Sequence, residues 1–318
     1  MRLFTKIVLV SGVGIGLGVY ASSGDKNQVS LPADVFNQSQ DLDLINENLR
    51  DLSKSNVAFF RLRSCPYCAI VSAMLDYGRV SYHNVWVDPL TSSGMPSIQY
   101  GFVPILQFMK DPRRRAVASD PEPQKHGAFL VDSEEIVKTL AAPLGFARQL
   151  DQPKIQQSRA WIKERFVRST FVAMNSSYAH AWASFPGVVP ERYQYAPCRA
   201  IGSGVLFLLA KYKVLPKLKA ASAVDGAKVT DPSIALLTGE EFLKKEAHHF
   251  ATKMIPEGKN FHGGNRPDIV DVELYGVVRS TCQQSGPARV IVERSALSPW
   301  ADRMREYVPT TKQSAITQ

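Results

Sequence analysis

The sequence predicts an α+β domain with the element order β-α-β-β-β-α, followed by an all-α domain, and three observations carry that prediction. A short apolar run ends in Cys65-Pro66-Tyr67-Cys68, after which apolar residues recur at helical spacing. Three further strand-like runs follow before residue 132. Beyond Pro153 the pattern changes to long helical periodicity with few strand-like runs.

The elements follow in order. Val57-Ala58-Phe59-Phe60-Arg61-Leu62 is the first strand, and Ile70, Met74 and Tyr77, backed by Val71 and Leu75, line the helix after the second cysteine. Tyr82 to Val87 is a second strand, stopped at Asp88-Pro89. This spacing makes a β-α-β unit, hence a parallel pair joined by a right-handed crossover. Residues 104–109 and 127–131 are apolar runs that would pair antiparallel. The connection between them, around Arg113-Arg114-Arg115, is long for a hairpin and is expected to project as a mobile basic loop. Asp132 or Ser133 then caps a helix to about Leu140, with Glu134 and Glu135 in its first turn, where the helix dipole favours them. That order is the thioredoxin fold. The later periodicity predicts helices over 155–183, 200–218, 239–254, 269–282 and 298–307, and Asp268 with Asp271 reads as the structural cap of the fourth.

The domains read from these patterns are an N-terminal membrane anchor or targeting segment at 1–24, a spacer at 25–55, the thioredoxin/glutaredoxin-like domain at 56–146, the helical domain at 153–308 and a tail at 309–318. Ile7 to Gly24 carries no charge over eighteen positions, the lower limit for a membrane-spanning helix. Gly12, Gly14, Gly16 and Gly18 give small-xxx-small spacing that suits helix packing in lipid. A secretory signal cleaved near Ala21 competes with that reading, and so does a mitochondrial address, which the basic, acid-free N-terminus fits.

Composition narrows the setting. Only four cysteines in 318 residues exclude a disulfide scaffold and favour a reducing compartment. The 38 Lys and Arg exceed the 29 Asp and Glu by nine, an excess that fits an anionic membrane surface or an acidic small molecule. Apart from Arg113-Arg114-Arg115 and the Lys211, Lys213, Lys217, Lys219 stretch the basic residues are scattered, and no nucleic-acid motif accompanies them, so no nucleic-acid partner is expected.

The chemistry concentrates at the cysteine turn. At a helix start, unpaired amide N–H groups and the dipole stabilise a thiolate, and Cys65 is the residue so placed. Cys68 could resolve a mixed disulfide formed on it. A zinc site competes, but Cys198 and Cys282 stand alone and no histidine follows at ligand spacing, so no metal is expected. Val103-Pro104 and Asp132-Ser133 complete what reads as a glutathione site. Tyr67 could donate to a bound thiol or be a packed ring, and Pro104 suits either a cis bond or an edge strand.

A thioredoxin-like domain followed by helices containing Asp268-Ile269-Val270-Asp271 resembles the glutathione transferase superfamily. The apolar N-terminus and the glutaredoxin-type Cys65-Pro66-Tyr67-Cys68 make the chain similar to the membrane-associated prostaglandin E synthase type 2 family, from about residue 56 to 308. Gly263-Gly264 with Arg266-Pro267-Asp268, and Leu274-Tyr275-Gly276-Val277-Val278-Arg279, extend the likeness. The resemblance implies a glutathione-transferase-like helical domain, glutathione as cofactor and isomerisation of prostaglandin H2 to prostaglandin E2. By position it assigns catalysis to Cys65, with Cys68 beside it, and glutathione binding to Cys65, Tyr67, Val103, Pro104, Asp132 and Ser133. It also allows haem, a lipophilic substrate and a homodimer. One departure is Leu62, where the family places a tyrosine. A glutaredoxin-like oxidoreductase and a non-enzymatic membrane-tethered binder are the alternative functions.

Overall fold

The computed structural model describes residues 30–51, 54–111, 122–223, 234, 236–310 and 314–315. The predicted anchor at 1–24 and the Arg113 loop lie outside the described residues. The chain divides into two units, one running to Leu150 and taking in the segment from Val308, the other Asp151–Tyr307.

In the first unit β1 (Val57–Arg61) is wholly buried, as a run of apolar residues on both faces requires. The helix α3 (Pro66–Tyr77) crosses over to β2 (Tyr82–Trp86), which pairs parallel with β1. β3 (Ile105–Met109) runs antiparallel to β1, and β4 (Gly127–Val131) antiparallel to β3. The sheet order is β4-β3-β1-β2-β5, with β5 (Ser314–Ala315) parallel to β2. α4 (Ser133–Ala141) packs beside α3, burying Ile136, Val137 and Leu140. The order is the predicted one.

Two boundaries move. Residues 30–51 are no spacer: α1 (Ala33–Gln38) and α2 (Leu42–Arg50) bury Phe36, Ile45 and Leu49 against this unit. Asn37 both donates to the carbonyl of Val131 and accepts from its N–H, each at 3.0 Å, and Gln40 accepts from Phe129 N–H. These side chains satisfy the free edge of β4, which would otherwise offer unpaired backbone groups. The C-terminal stretch is likewise no simple tail, because β5 completes the opposite edge.

The second unit is all helical among its described residues. The predicted 155–183 helix divides into α5 (Pro153–Trp161), a wider π turn over Ile162–Phe166, α6 (Val167–Met174) and α7 (Tyr178–Val188). The break falls at Asn175-Ser176-Ser177, where Asn175 bonds back to Phe171 O and Ser177 accepts from His180 N–H as a new N-cap. Short polar side chains compete with the helical ladder in this way. α8 (Ala196–Leu209), a π turn and α9 (Leu215–Ala223) follow, then α10 (Gly239–His249) with its own π turn. α11 (Ile269–Cys282) and α13 (Ser298–Tyr307) fall where periodicity predicts them, while α12 (Pro287–Glu293) is additional. The core includes a stack of Trp161 on Phe250, with Trp300 edge-on to Phe250. Two buried ion pairs, Arg159–Glu273 and Arg165–Glu246, run through it.

Candidate active site

Backbone register brings the predicted site elements to one end of the sheet. Phe60 pairs with Ile105, and Ile105 with Val131. The residues one step further, Arg61, Pro104 and Asp132, therefore form a row across three strands, at the end where β1 leads into the cysteine turn. Val103-Pro104, a cis bond, immediately precedes β3. Tyr67 lies half-buried in the first turn of α3, and Ser133 opens α4.

Asp132 holds a positive φ of 71°, a conformation that costs a non-glycine residue energy unless its surroundings enforce it. Here its carboxylate accepts from Glu134 N–H at 2.8 Å and Glu135 N–H at 3.4 Å. The cap thus fixes a carboxylate at the site and leaves it half-buried. Nearby Tyr100, packed against Phe36 and Phe102, has its hydroxyl pushed well above the usual range by burial and by the Asp132 charge.

The two cysteines are reduced and sit in opposite electrostatic settings. Cys65 is the N-cap of α3, with Pro66 at the first helical position, where its missing N–H costs nothing. The Cys65 sulfur accepts from Cys68 N–H at 3.4 Å. A hydrogen bond from the Cys68 thiol is the main influence holding Cys65 below the ordinary thiol range; burial opposes it, and the Cys68 and Tyr67 amides and the Arg61 charge assist. Burial pushes Cys68 well above that range, and the bond it gives to Cys65 adds to the effect. Cys65 is 4 % exposed and Cys68 0 %, so only the thiolate-prone member has any open surface. A lowered thiol and a raised one thus stand side by side.

Arg61 was not singled out by motif reading. Its guanidinium lies 4.9 Å from the Phe59 ring centroid and 5.2 Å from that of Trp86, and it donates to Ser72 Oγ at 3.1 Å. Ser72 continues to Tyr82 OH and so to Asp76. A lone arginine inside a wholly apolar strand run was the sequence signal for it. Arg63 lies over the other ring neighbour, Trp86, at 5.5 Å. Leu62 is buried and brings no hydroxyl.

Asp268 and Asp271 belong to the second unit and form a structural constellation. Each accepts from the other's backbone N–H, at 3.0 and 3.1 Å. Asp271 also accepts from the N–H groups of His262 and Gly263 and from Trp300 Nε1. His262 Nδ1 meets Asp268 at 2.6 Å and its Nε2 meets Ser158 Oγ at 3.1 Å. His262 escaped motif reading because only the tertiary loop brings it to the cap. A side chain at Gly263 would collide with the Arg266 and Asp268 backbone, which explains the glycine. Cys198 and Cys282 lie on separate helices, α8 and α11. Among the described residues no cluster of His, Cys, Asp and Glu could hold a metal ion.

No protein-family model matches the chain. It is similar to Prostaglandin E synthase 2 of Mus musculus, 22 % identical over 287 residues that cover 79 % of this chain and 70 % of that protein. The first unit has the element order of a thioredoxin-like domain, and the second is helical among its described residues. Solved structures similar to it include the glutathione S-transferase CsGST83044 of Ceriporiopsis subvermispora in complex with glutathione, with TM-score 0.44 and 13 % identity, covering 80 % of this chain and 98 % of that one. Another is the glutathione transferase GSTFuA3 of Phanerochaete chrysosporium, with TM-score 0.40 and 14 % identity, covering 79 % and 96 %. Nothing observed speaks for haem. A cavity of about 620 Å³ in the first unit is walled by polar chains such as Gln40, Asp41, Gln124 and Lys125, with neither cysteine on it. Among the described residues no helix is long and apolar enough to cross a membrane.

Proposed function

We propose that the chain is a glutathione-binding thiol enzyme acting as an isomerase or transferase on a lipophilic substrate, with Cys65 as nucleophile. The observation that carries this reading is the depressed, N-capping thiol of Cys65 beside the raised thiol of Cys68. The Val103 backbone would pair with the cysteinyl amides of glutathione. Asp132 would take the γ-glutamyl amine, and Ser133 with the α4 N-terminus the carboxylate. The similarity to a prostaglandin E synthase supports an endoperoxide as substrate. There a thiolate attacks one peroxide oxygen, the O–O pair leaves with the other oxygen as an alkoxide, and that alkoxide takes a proton. Loss of the hydrogen from the carbon bearing the S–O group then forms the carbonyl and returns the S–O pair to sulfur, so no net oxidation occurs. With Leu62 unable to donate, Tyr67 or Arg63 would be the candidate donor to the alkoxide. The segment 1–24 would tether this body to a membrane.

The buried Cys68 favours a second reading, thiol–disulfide exchange of the glutaredoxin kind, because an isomerase needs one thiol only. Cys65 thiolate would attack a glutathione–protein disulfide, forming a Cys65–glutathione disulfide and releasing the protein thiolate. A second glutathione thiolate would then reduce it, or Cys68, after losing its proton, would close a Cys65–Cys68 disulfide and release glutathione.

Calorimetric titration of reduced glutathione tests the shared element. Binding that weakens about tenfold or more in Asp132→Asn is expected, since the charge is lost while asparagine still caps α4 and tolerates positive φ. No binding to the wild type would overturn both readings. Cys68→Ser then tests the role of the second cysteine: loss of disulfide exchange with isomerisation retained assigns Cys68 to resolving the mixed disulfide, and exchange retained assigns that step to the second glutathione.

A further inference from the structure

α8 is apolar on two faces, and the fold covers only one of them. Cys198 and Leu206 pack inward with Ala181 and Phe185 of α7. Outward, Ile201 and Leu208 are half exposed and Tyr212, in the π turn, is 68 % exposed. These three, with the half-buried Val205, recur at intervals of three and four residues and so form one stripe along the helix. Exposed Tyr178 and Tyr195 lie on the neighbouring segments, and the hydroxyl of Tyr178 reaches Ala200 O. A helix apolar all round is expected where no water reaches it.

The charge around the stripe says what covers it. From Arg192 to Val224 the chain has no acidic residue over 33 positions. Lys211 and Lys213 precede and follow Tyr212, so on a helix they stand on either side of the stripe. Lys217 and Lys219 repeat the arrangement one to two turns on, around exposed Pro216 and Ala220. The Lys211 ammonium lies 5.7 Å from the Phe207 ring centroid and 5.4 Å from that of Tyr212. Two copies of the chain meeting through this face would bring like charges together. An anionic lipid surface instead accepts apolar and tyrosine side chains at its acyl boundary and lysines at its phosphates.

We propose that the outer face of α8 and the following π turn docks on an anionic membrane surface, with Ile201, Leu208 and Tyr212 immersed and Lys211, Lys213, Lys217 and Lys219 at the headgroups. The contact uses no residue of the segment 1–24 and none of the proposed glutathione site. It lays the second unit against lipid rather than leaving it on a tether.

The test uses the full chain carrying Leu208→p-benzoylphenylalanine, bound to phosphatidylcholine vesicles with about one-third phosphatidylserine and irradiated. A lipid adduct at position 208 is expected. Its yield should fall by roughly 600-fold when all four lysines are changed to glutamine, at about fivefold per lysine, and should fall with added salt. A chain-to-chain adduct instead would make the face a homodimer interface and overturn the proposal. Vesicle-bound protein without any adduct at position 208 would overturn it too, by showing attachment through the N-terminal segment alone, and failure to bind these vesicles would do the same. Circular dichroism of each variant checks that the exposed substitutions leave the helices formed.

Discussion

Two helices of this protein begin at a capping turn that holds a buried acceptor side chain, and the two acceptors behave oppositely. At the start of α3 the acceptor is the Cys65 sulfur, which receives one long amide bond and a thiol bond and keeps a sliver of exposure. At the start of α11 the acceptor is Asp271, wholly buried and holding four donors, among them Trp300 Nε1 at 2.8 Å. The same helix-end physics gives a reactive group where the donors are few and weak, and a fixed joint where every lone pair is used. Unsatisfied capacity is what an incoming reactant can exploit.

Substitutions at the two caps should separate these roles. The largest effect is expected from Cys65→Ser, which removes the proposed nucleophile and should lower turnover about 10³-fold or more while leaving the unfolding midpoint nearly unchanged, as rate and denaturation measurements on one preparation will show. Next is Asp271→Ala: it strands four donors, three of them backbone, and should cost roughly 3–5 kcal/mol in urea unfolding. Alkylation of Cys65 in the surviving folded fraction should be unaffected. A loss of thiol reactivity there would break the separation between the two caps.

Smaller shifts sharpen the picture. Because the Cys68 thiol is the chief influence holding Cys65 down, Cys68→Ala, which removes that donor, should move the pH midpoint of iodoacetamide alkylation upward. Arg61→Met should move it in the same direction but less, since its charge is the least of the influences on Cys65. A larger effect from Arg61 than from Cys68 would reverse that ranking. The smallest expected effect is a pH slope. Burial and the Asp268 charge push Asp271 from the ordinary 3.8 up to about 6. Between those values the native state binds a proton that the unfolded chain does not, so the contribution of Asp271 is present below pH 3.8 and lost as pH rises through about 6. Thermal midpoints of wild type and Asp271→Asn across that window should therefore show a falling slope only in the wild type, because asparagine does not titrate.

Much of this was legible in the amino-acid sequence. The strand runs at 57–62, 82–87 and 127–131, the helix after Cys68, the cap at Asp132 and the helix from Ile269 to Cys282 follow from periodicity and end signals, which are local. The cysteine turn was readable because Cys, Pro and a strand-to-helix switch coincide within a few residues.

Tertiary structure decided what depends on partners distant in sequence. Asn37 and Gln40 turned a polar stretch into the cover of β4 across some 90 positions, and β5 reached back to β2 from the C-terminus. His262 joined the Asp268 cap through a loop, and Arg61 became the buried cation under the cysteines because β1 lies at the centre of the sheet. The sequence by itself determined which local elements form and which residue types carry the chemistry, since backbone propensity, side-chain spacing and capping act within a few residues. Which side chains meet, and hence which thiol is poised and which carboxylate is locked, was left to packing, since burial and charge act through space rather than along the chain.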